Sequence, residues 1–208
     1  MAKPVTASTQ PMTDGQIENL VDKFRAAVRK HRGEFGSDAA QQALGFENLG
    51  MKLLEPFRRL VEVVSSMTVR HVKVDRTRTP QQVLNATGRR QCKDRSAVAS
   101  MPRGEEDEGD IYFFQVDLSD RGGHISNEDL GKEFKCHGLN PVDPYKLAQA
   151  NADDPAFADE HPNGTQWKDA DGNWFHATFG RRLGERGVTV FRGVSGWYGG
   201  WWFAGLRK

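Results

Sequence analysis

The sequence predicts an α+β protein in which an N-terminal helical part, residues 1–66, packs on a mixed, mostly antiparallel domain, residues 67–208. Apolar residues recur at helical spacing in the first sixty positions, whereas β-branched and aromatic runs of period two dominate later. The composition also changes along the chain, because all five Trp follow position 166 and ten of the 22 Gly follow position 160. These observations indicate two architectural parts.

Length and composition limit the function classes. A chain of 208 residues, with twelve Phe and five Trp, can form one large domain or two small ones with a real core. No apolar run is long enough to span a bilayer. The N-terminus has no apolar signal region, which predicts a cytoplasmic protein by default and leaves surface display and phage display open. Two cysteines exclude a disulfide-rich scaffold.

The N-terminal part is predicted to contain amphipathic helices. Thr13 and Gln16 form a capping-box pattern that opens the first helix. A second helix is expected from Ser37, and Pro56 is expected to interrupt it or to start a third. The apolar stripe of the first helix, which we expect to be buried against the rest of the chain, consists of Ile17, Leu20, Val21, Phe24, Ala27 and Val28.

Two strands are predicted in the middle of the chain. Residues 67–74 (MTVRHVKV) are rich in β-branched side chains, and residues 111–118 (IYFFQVDL) carry apolar side chains on both faces, which is typical of a central strand. A final aromatic strand is predicted near residues 202–207. One of the two earlier strands should pair with it, because that pairing closes the sheet.

Short helices are predicted where a capping residue precedes a helix start. Thr79-Pro80 should open one helix, Ser126 should cap another, and Asp143-Pro144 should open a third. Residues 151–166 are interpreted as a loop with at most one helical turn.

The last fifty residues alternate in a pattern that predicts a β-hairpin. Asp171-Gly172 is a turn signal, and the alternating strands that follow it are separated by a loop over Leu183–Gly187. One face of this hairpin has the composition of an ordinary protein core. Its members are Ala177, Phe179, Val188 and Val190.

The opposite face has an unusual composition. It is rich in Gly and lacks Lys, Glu, Gln and Met, which together with Trp are the residues that cannot arise when both adenines of an AAC codon are randomised. An ordinary exposed, Gly-rich hairpin face remains an alternative interpretation. The residues of this face and of the loop beside it are His176, Thr178, Gly180, Thr189, Phe191, Gly193, Val194, Ser195, Gly196, Tyr198, Gly199 and Gly200.

Residues 167–208 resemble the variable region of proteins diversified by diversity-generating retroelements in bacteria and phages. The resemblance lies in the frame of Trp174, Trp197, Trp201 and Trp202, the closing FAGLRK, and the small or aromatic residues between them. It implies a C-type-lectin-like fold related to the formylglycine-generating enzyme type. It also implies a reverse transcriptase that rewrites adenine positions of the coding repeat.

The resemblance implies a non-catalytic ligand-binding protein with a hypervariable surface, no cofactor and no metal. The ligand would be a protein or a surface glycan, and the oligomeric state is left open. The framework Trp residues would fix the loop, whereas Trp197 could either fix it or touch the ligand. The residues expected to bind ligand are Phe175, His176, Thr178, Gly180, Thr189, Phe191, Gly193, Ser195, Tyr198 and Gly199.

Catalytic and metal-binding interpretations find little support in the sequence. The six His show no metal-ligand spacing, and Cys92 lies 44 residues before Cys136, so buried thiols and surface histidines are expected. An oxidase of the formylglycine-generating type would need a cysteine pair late in the chain, and the last 72 residues contain no Cys. Asp169 and Asp171 fit a turn better than a cation site.

The basic stretch over residues 70–103 supports an alternative function. It contains nine Lys and Arg against two acidic residues, which would suit contacts with nucleic-acid phosphates. No aromatic residue interrupts it, which argues against stacking on single strands. Residues 105–208 carry a balance of −7, so internal pairing with this acidic half is the other explanation.

Overall fold

The computed structural model describes residues 11–193 and 195–207, with the backbone alone at Arg59 and residues 62–64. Val194 therefore lies outside the described residues. The chain divides into two compact units, with the boundary between Ser65 and Ser66. The helices are α1 (Asp14–Lys30), α2 (Ser37–Leu44), α3 (Leu49–Ser66), α4 (Pro80–Ala86), α5 (Arg95–Ala99), α6 (Asn127–Cys136), α7 (Pro144–Asp153) and α8 (Phe157–Glu160). The strands are β1 (Thr68–Lys73), β2 (Arg90–Lys93), β3 (Glu108–Gln115), β4 (His124–Ile125), β5 (Leu139–Pro141), β6 (Asn163–Lys168), β7 (Trp174–Arg182), β8 (Glu185–Arg192), β9 (Trp197–Tyr198) and β10 (Trp202–Arg207).

The first unit consists of α1, α2 and α3. The predicted capping box opens α1: the Thr13 hydroxyl accepts the Gln16 backbone N–H, and the Gln16 side chain accepts the Thr13 backbone N–H at 2.9 Å. None of the side chains described in this unit is buried. No helix in the described residues combines the length and the hydrophobicity needed to cross a bilayer.

The helix boundaries around Pro56 differ from the prediction. The helix that starts at Ser37 ends at Leu44, and α3 begins at Leu49 and continues through Pro56. The break comes at Gly45, where the chain turns and glycine supplies no side chain to stabilise a further helical turn. Pro56 removes one backbone donor from α3 without ending it.

The second unit is built on a mixed sheet with the strand order β1-β3-β10-β6-β7-β8-β2. The pairs β10–β6 and β8–β2 are parallel, whereas the other pairs in the sheet, including β5 on β10, are antiparallel. The predicted α+β class and the mostly antiparallel sheet are confirmed. Of the two strands predicted to pair with the terminal strand, β3 does so, with Phe114 opposite Phe203.

The sheet has different layers on its two faces. On one face, α4, α5, α7 and α8 enclose the main core together with the inward side chains of β3, β7, β8 and β10. On the other face, α6 covers β3 and β10, and the ring of Phe134 meets Phe114 at 5.1 Å and Phe203 at 6.5 Å. The small β4–β9 ribbon lies beside α6 on this second face, where Trp197 of β9 contacts Phe203 at 5.2 Å.

The predicted helix starts at Thr79, Ser126 and Asp143 are confirmed. Each side chain accepts a backbone N–H from the first turn of α4, α6 or α7 respectively. Because the first backbone N–H groups of a helix have no partner within the helix, these caps fix where each helix begins.

The interpretation of residues 151–166 as a loop is wrong. The segment contains the end of α7, the short helix α8 and the start of β6. The strand β6 has the sequence NGTQWK and is buried except at Lys168. Its buried polar side chains form hydrogen bonds inside the protein, so the strand lacks the apolar alternation by which strands are predicted from sequence.

The loop of the predicted hairpin is shorter than expected. β7 extends to Arg182 and β8 begins at Glu185, so the turn consists of Leu183 and Gly184 alone. Both residues have positive φ, 51° and 83°, as a two-residue hairpin turn of type I′ requires. The tight turn holds the two strands in one register.

Candidate binding surface

The hairpin of β7 and β8 has one buried face and one open face, as the alternation predicts. The core face is sealed, because Ala177, Phe179, Val188 and Val190 are at most 1% exposed. We call the opposite side of β7, β8 and β2 the outer face. Substitutions on the outer face do not alter the packing of this core directly, because successive strand residues point to opposite sides.

The predicted alternating residues lie together on the outer face. His176 is opposite Phe191, and Thr178 is opposite Thr189, in the antiparallel register of β7 and β8. Phe191 is 40% exposed, and the other three side chains are half-buried. Gly180, also half-buried, continues the row towards the hairpin turn.

The outer face extends onto β2, which the sequence analysis missed. β2 runs parallel to β8, with Arg90 beside Gly187 and Cys92 beside Thr189. A groove of about 260 Å³ lies here, lined by residues of β2, β8 and the hairpin turn. The short RQCK strand has no alternation that could have revealed it.

The expectation that both thiols are buried is wrong. Cys92 and Cys136 are free and exposed. Cys92 lies on a short strand at the edge of the sheet, where its side chain belongs to the outer face rather than to the core.

A buried polar network anchors the edge of the outer face to the second layer. The Trp197 indole N–H donates to Gln166 Oε1 at 2.8 Å, and Gln166 Nε2 donates to the Asn127 carbonyl oxygen at 2.8 Å. Asn127 Nδ2 donates to the Gly193 carbonyl oxygen at 2.8 Å. These bonds join β6, α6 and the loop after β8 by groups that are withdrawn from water, where unpaired partners are costly.

His176 belongs to this network rather than to the freely exposed part of the surface. Its Nε2–H donates to Asn127 Oδ1, with 2.8 Å between the two atoms, and its ring stacks on Trp197 at 4.2 Å. Burial lowers the pKa of His176 to about 4, so the imidazole is neutral near pH 7. His176 therefore links the hairpin to α6 and Trp197 and helps to fix their positions.

The loop after β8 is held in place at Gly196 and is open beyond it. Gly196 has φ +71°, and a Cβ there would lie 2.4 Å from the Ile125 carbonyl oxygen, so only glycine fits. Tyr198 is 63% exposed, Ser195 and Gly199 are also exposed, and the Gly199 N–H donates to the β4 side of the ribbon at Gly123. The loop thus presents three of the predicted residues from a fixed backbone.

Two of the ten predicted ligand-binding residues are not on the surface. Phe175 is 5% exposed and lies in the main core beside Trp167, because its odd position on β7 puts it on the core face. Gly193 is buried, and a Cβ there would lie 2.1 Å from the His176 ring. Its side-chain position is occupied by that imidazole, so Gly193 is a framework residue.

The tryptophans of the frame make structural contacts. Trp174 donates its indole N–H to Glu128 Oε1 at 2.6 Å, which lowers the pKa of that carboxyl group and ties β7 to α6. Trp202 packs against His161 at 4.8 Å, and Trp201 meets Trp197 edge-on at 6.0 Å. Trp197 is 3% exposed, so its indole fixes the loop.

The basic stretch over residues 70–103 pairs mostly inside the second unit. Arg70 pairs with Asp154, Arg76 with Asp143 at 2.6 Å, and Arg90 with Glu185 at 2.8 Å. Arg89 is 5% exposed and donates to the Pro155 carbonyl oxygen, out of reach of a nucleic-acid phosphate. The arrangement fits internal charge matching rather than a phosphate-binding strip.

The Asp169–Asp171 segment is a capped turn. Asp169 Oδ1 accepts the backbone N–H groups of Asp171 and Asn173, and these bonds, after that of the Asn173 side chain, lower the pKa of the Asp169 carboxyl group. Within residues 11–193 and 195–207, no three His, Cys, Asp or Glu side chains gather as metal ligands would.

No protein-family model, curated protein or solved structure matches this chain. The C-type-lectin-like class and the likeness to retroelement variable proteins therefore stay predictions that rest on the residues of the tail.

Proposed function

We propose that this protein binds a ligand through the outer face and is not an enzyme, and that residues 167–208 are diversified by a retroelement. The ligand is a protein or a surface glycan. The observation that carries the proposal is the separation of two roles on one hairpin: Thr178, Thr189 and Phe191 face outward while their neighbours along the strands form the core.

Several features support a rigid frame with replaceable outer side chains. The second layer bonds to β7 at Trp174 and His176, and the outer face continues beyond them over β8 and β2. The frame side chains are buried and hydrogen-bonded, so a change at Thr178 or Thr189 leaves their partners in place. A scaffold of this kind can carry many outer sequences with one backbone.

The outer side chains suit recognition by contact. Phe191 and Tyr198 offer exposed aromatic area with few rotatable bonds, and the threonine hydroxyls can donate or accept hydrogen bonds. The candidate ligand-binding residues that remain after the corrections are Thr178, Gly180, Thr189, Phe191, Ser195, Tyr198 and Gly199, with His176 at the edge.

Sequencing the DNA around the gene tests the diversification directly. We expect an imperfect copy of the segment coding for residues 167–208, beside a reverse-transcriptase gene, with mismatches only at adenines of the copy. The mismatched codons should include those of Thr178, Thr189 and Phe191 and should spare that of Val190. A locus without such a copy, or with mismatches spread over all four bases, would contradict the proposal.

Folding stability tests the separation of frame from surface. We expect Thr189→Ala and Phe191→Ser to lower the free energy of unfolding by no more than about 1 kcal/mol, because Thr189 is half-buried and Phe191 is 40% exposed on the outer face. Val190→Ala, between them on the same strand, should cost about 2 kcal/mol, because Val190 is fully buried. Urea unfolding followed by tryptophan fluorescence measures all three. Equal losses at the three positions would show that the outer face is part of the folding core.

A further inference from the structure

The first unit exposes an exceptional share of the apolar surface. Of the sixteen large hydrophobic side chains that are exposed in the described residues, thirteen lie between Met12 and Val61. On α1 they fall on one stripe, with Ile17, Val21 and Phe24 between 42% and 51% exposed. A stripe at helical spacing is the pattern of a face that packs against other helices.

The described side chains of these helices form no buried core. None of the side chains described in the unit falls in the buried class, although α1 and α3 have 17 and 18 residues. Helices of this length are marginal in water unless tertiary packing covers their apolar side. We therefore expect another surface to cover the stripe and to stabilise these helices.

The exposed area is large enough for a stable dimer. Nine of the thirteen side chains lie on α1 and α3, and at roughly 80–100 Å² each they amount to about 800 Å² per chain. A standard protein interface also buries about 800 Å² on each partner. A contact that used the apolar side chains of both helices would therefore reach the size of a specific interface.

The groove between α1 and α3 is a separate surface from the stripe on α1. It has a volume of about 570 Å³, and its apolar lining includes Leu20, Phe57 and Val61, whereas Ile17, Val21 and Phe24 do not line it. The stripe is therefore open to another helix pair, and two pairs packed through such stripes form a four-helix bundle.

The charge of the unit argues against nucleic acid and anionic lipid as the occupant and allows a second copy. Residues 11–66 contain eight Lys and Arg and eight Asp and Glu. This zero balance gives no attraction to nucleic acid or to anionic lipid, which basic helices bind. It also gives no net repulsion between two identical units.

We infer that the first unit is a dimerisation module: the apolar stripes of α1 and α3 pack against the same stripes of a second copy of this chain. The symmetric contact would be isologous, with the same patch on both protomers. The dimer would carry two outer faces and so would be bivalent. The inference of a dimer does not depend on whether the tail is diversified.

The test is the mass of the full-length protein in solution, measured by light scattering and sedimentation over a hundredfold range of concentration. We expect about twice the chain mass of 23.3 kDa for the wild-type protein. Phe24→Glu should give a single chain, or raise the dissociation constant at least a hundredfold, because it places a charge in the stripe.

Matched variants separate the interface from a folding defect. Ala26→Glu introduces the same charge on the opposite side of α1, about two and a half turns from Ile17, and should stay dimeric. Phe24→Leu should stay dimeric as well. All five tryptophans lie in the second unit, so their fluorescence reports the fold of that unit and should be the same in every variant. The helical circular dichroism of Ala26→Glu and Phe24→Leu, which should equal that of the wild-type protein, reports the fold of the first unit.

Other results would overturn the inference. A wild-type protein that is a single chain at all concentrations assigns the stripe to an occupant within the same chain. A single chain that floats with vesicles of phosphatidylglycerol assigns it to a lipid surface. A dimer that persists in Phe24→Glu, or that is lost equally in Ala26→Glu, places the contact elsewhere.

Discussion

Trp197→Ala should lower the free energy of unfolding by about 3–5 kcal/mol, the range for removing a large buried aromatic side chain. The indole is 3% exposed and lies between the His176 and Phe203 rings. Its loss leaves a cavity over Gly164, where the ring now occupies the space of a side chain. It also leaves Gln166 Oε1 without its donor.

The neighbouring residue provides the control. Tyr198→Ala removes an aromatic ring of similar size from the same two-residue strand, but that ring is 63% exposed. It should cost no more than about 0.5 kcal/mol. Guanidinium unfolding at pH 7 compares the two variants. If the two variants lose equal stability, Trp197 does not fix the loop. The buried Trp197 and the exposed Tyr198 would then not have the separate structural and surface roles assigned to them.

Acid should destabilise the second unit through His176. The pKa of this imidazole is about 4 in the folded protein, because burial disfavours its charged form, and about 6.5 in the unfolded chain. Above pH 6.5 the His176 imidazole is neutral in both the folded and the unfolded state, so the burial of the neutral ring carries no protonation cost. Between pH 6.5 and 4 only the unfolded state takes up the proton, so the free energy of unfolding falls by about 3 kcal/mol.

The difference between the wild-type protein and His176→Gln isolates this effect. Glutamine can still donate a hydrogen bond towards Asn127 but does not titrate in this range. Hydrogen bonding to Asp110 and Glu108 raises the pKa of His71, which acts in the opposite direction and cancels in the comparison. Urea unfolding at pH 7, 5.5 and 4.5 should show the gap between the two proteins closing as the pH falls. If the difference in the free energy of unfolding between the two proteins does not change with pH, His176 takes up its proton as readily in the folded protein as in the unfolded chain, and its pKa is not lowered.

The parts of the fold that sequence reasoning predicted are those with a local physical signature. A capping side chain such as Thr79, Ser126 or Asp143 acts on backbone groups within one turn, so its effect can be inferred from a few residues. The alternation in β7 and β8 likewise reflects one buried and one open face.

The elements that were missed are stabilised by distant partners. β6 is buried, yet its Thr165 and Gln166 satisfy their hydrogen bonds on the Val142 and Asn127 carbonyl oxygens. Neither bond leaves a trace in the local sequence. The edge strand β2 is too short to show a period, and so its contribution to the outer face was also missed.

The candidate surface was predicted in outline and corrected in detail. On β7 the even-numbered residues face outward and the odd-numbered residues 175, 177 and 179 are buried, so the alternation itself assigns Phe175 to the core. The burial of Gly193 could not have been predicted, because it depends on where the His176 ring lies once α6 has packed on the sheet.

The position of β10 has a consequence for synthesis of the protein. This strand follows β7, β8 and β9 in the sequence, yet it lies between β3 and β6 in the sheet. The sheet cannot be completed until β10 has left the ribosome, so the unit folds after translation of the tail. A frameshift or stop codon ahead of residue 202 removes β10 and exposes the edges of β3 and β6. Cellular proteases would then clear the defective chains, and only in-frame sequences would accumulate as folded protein.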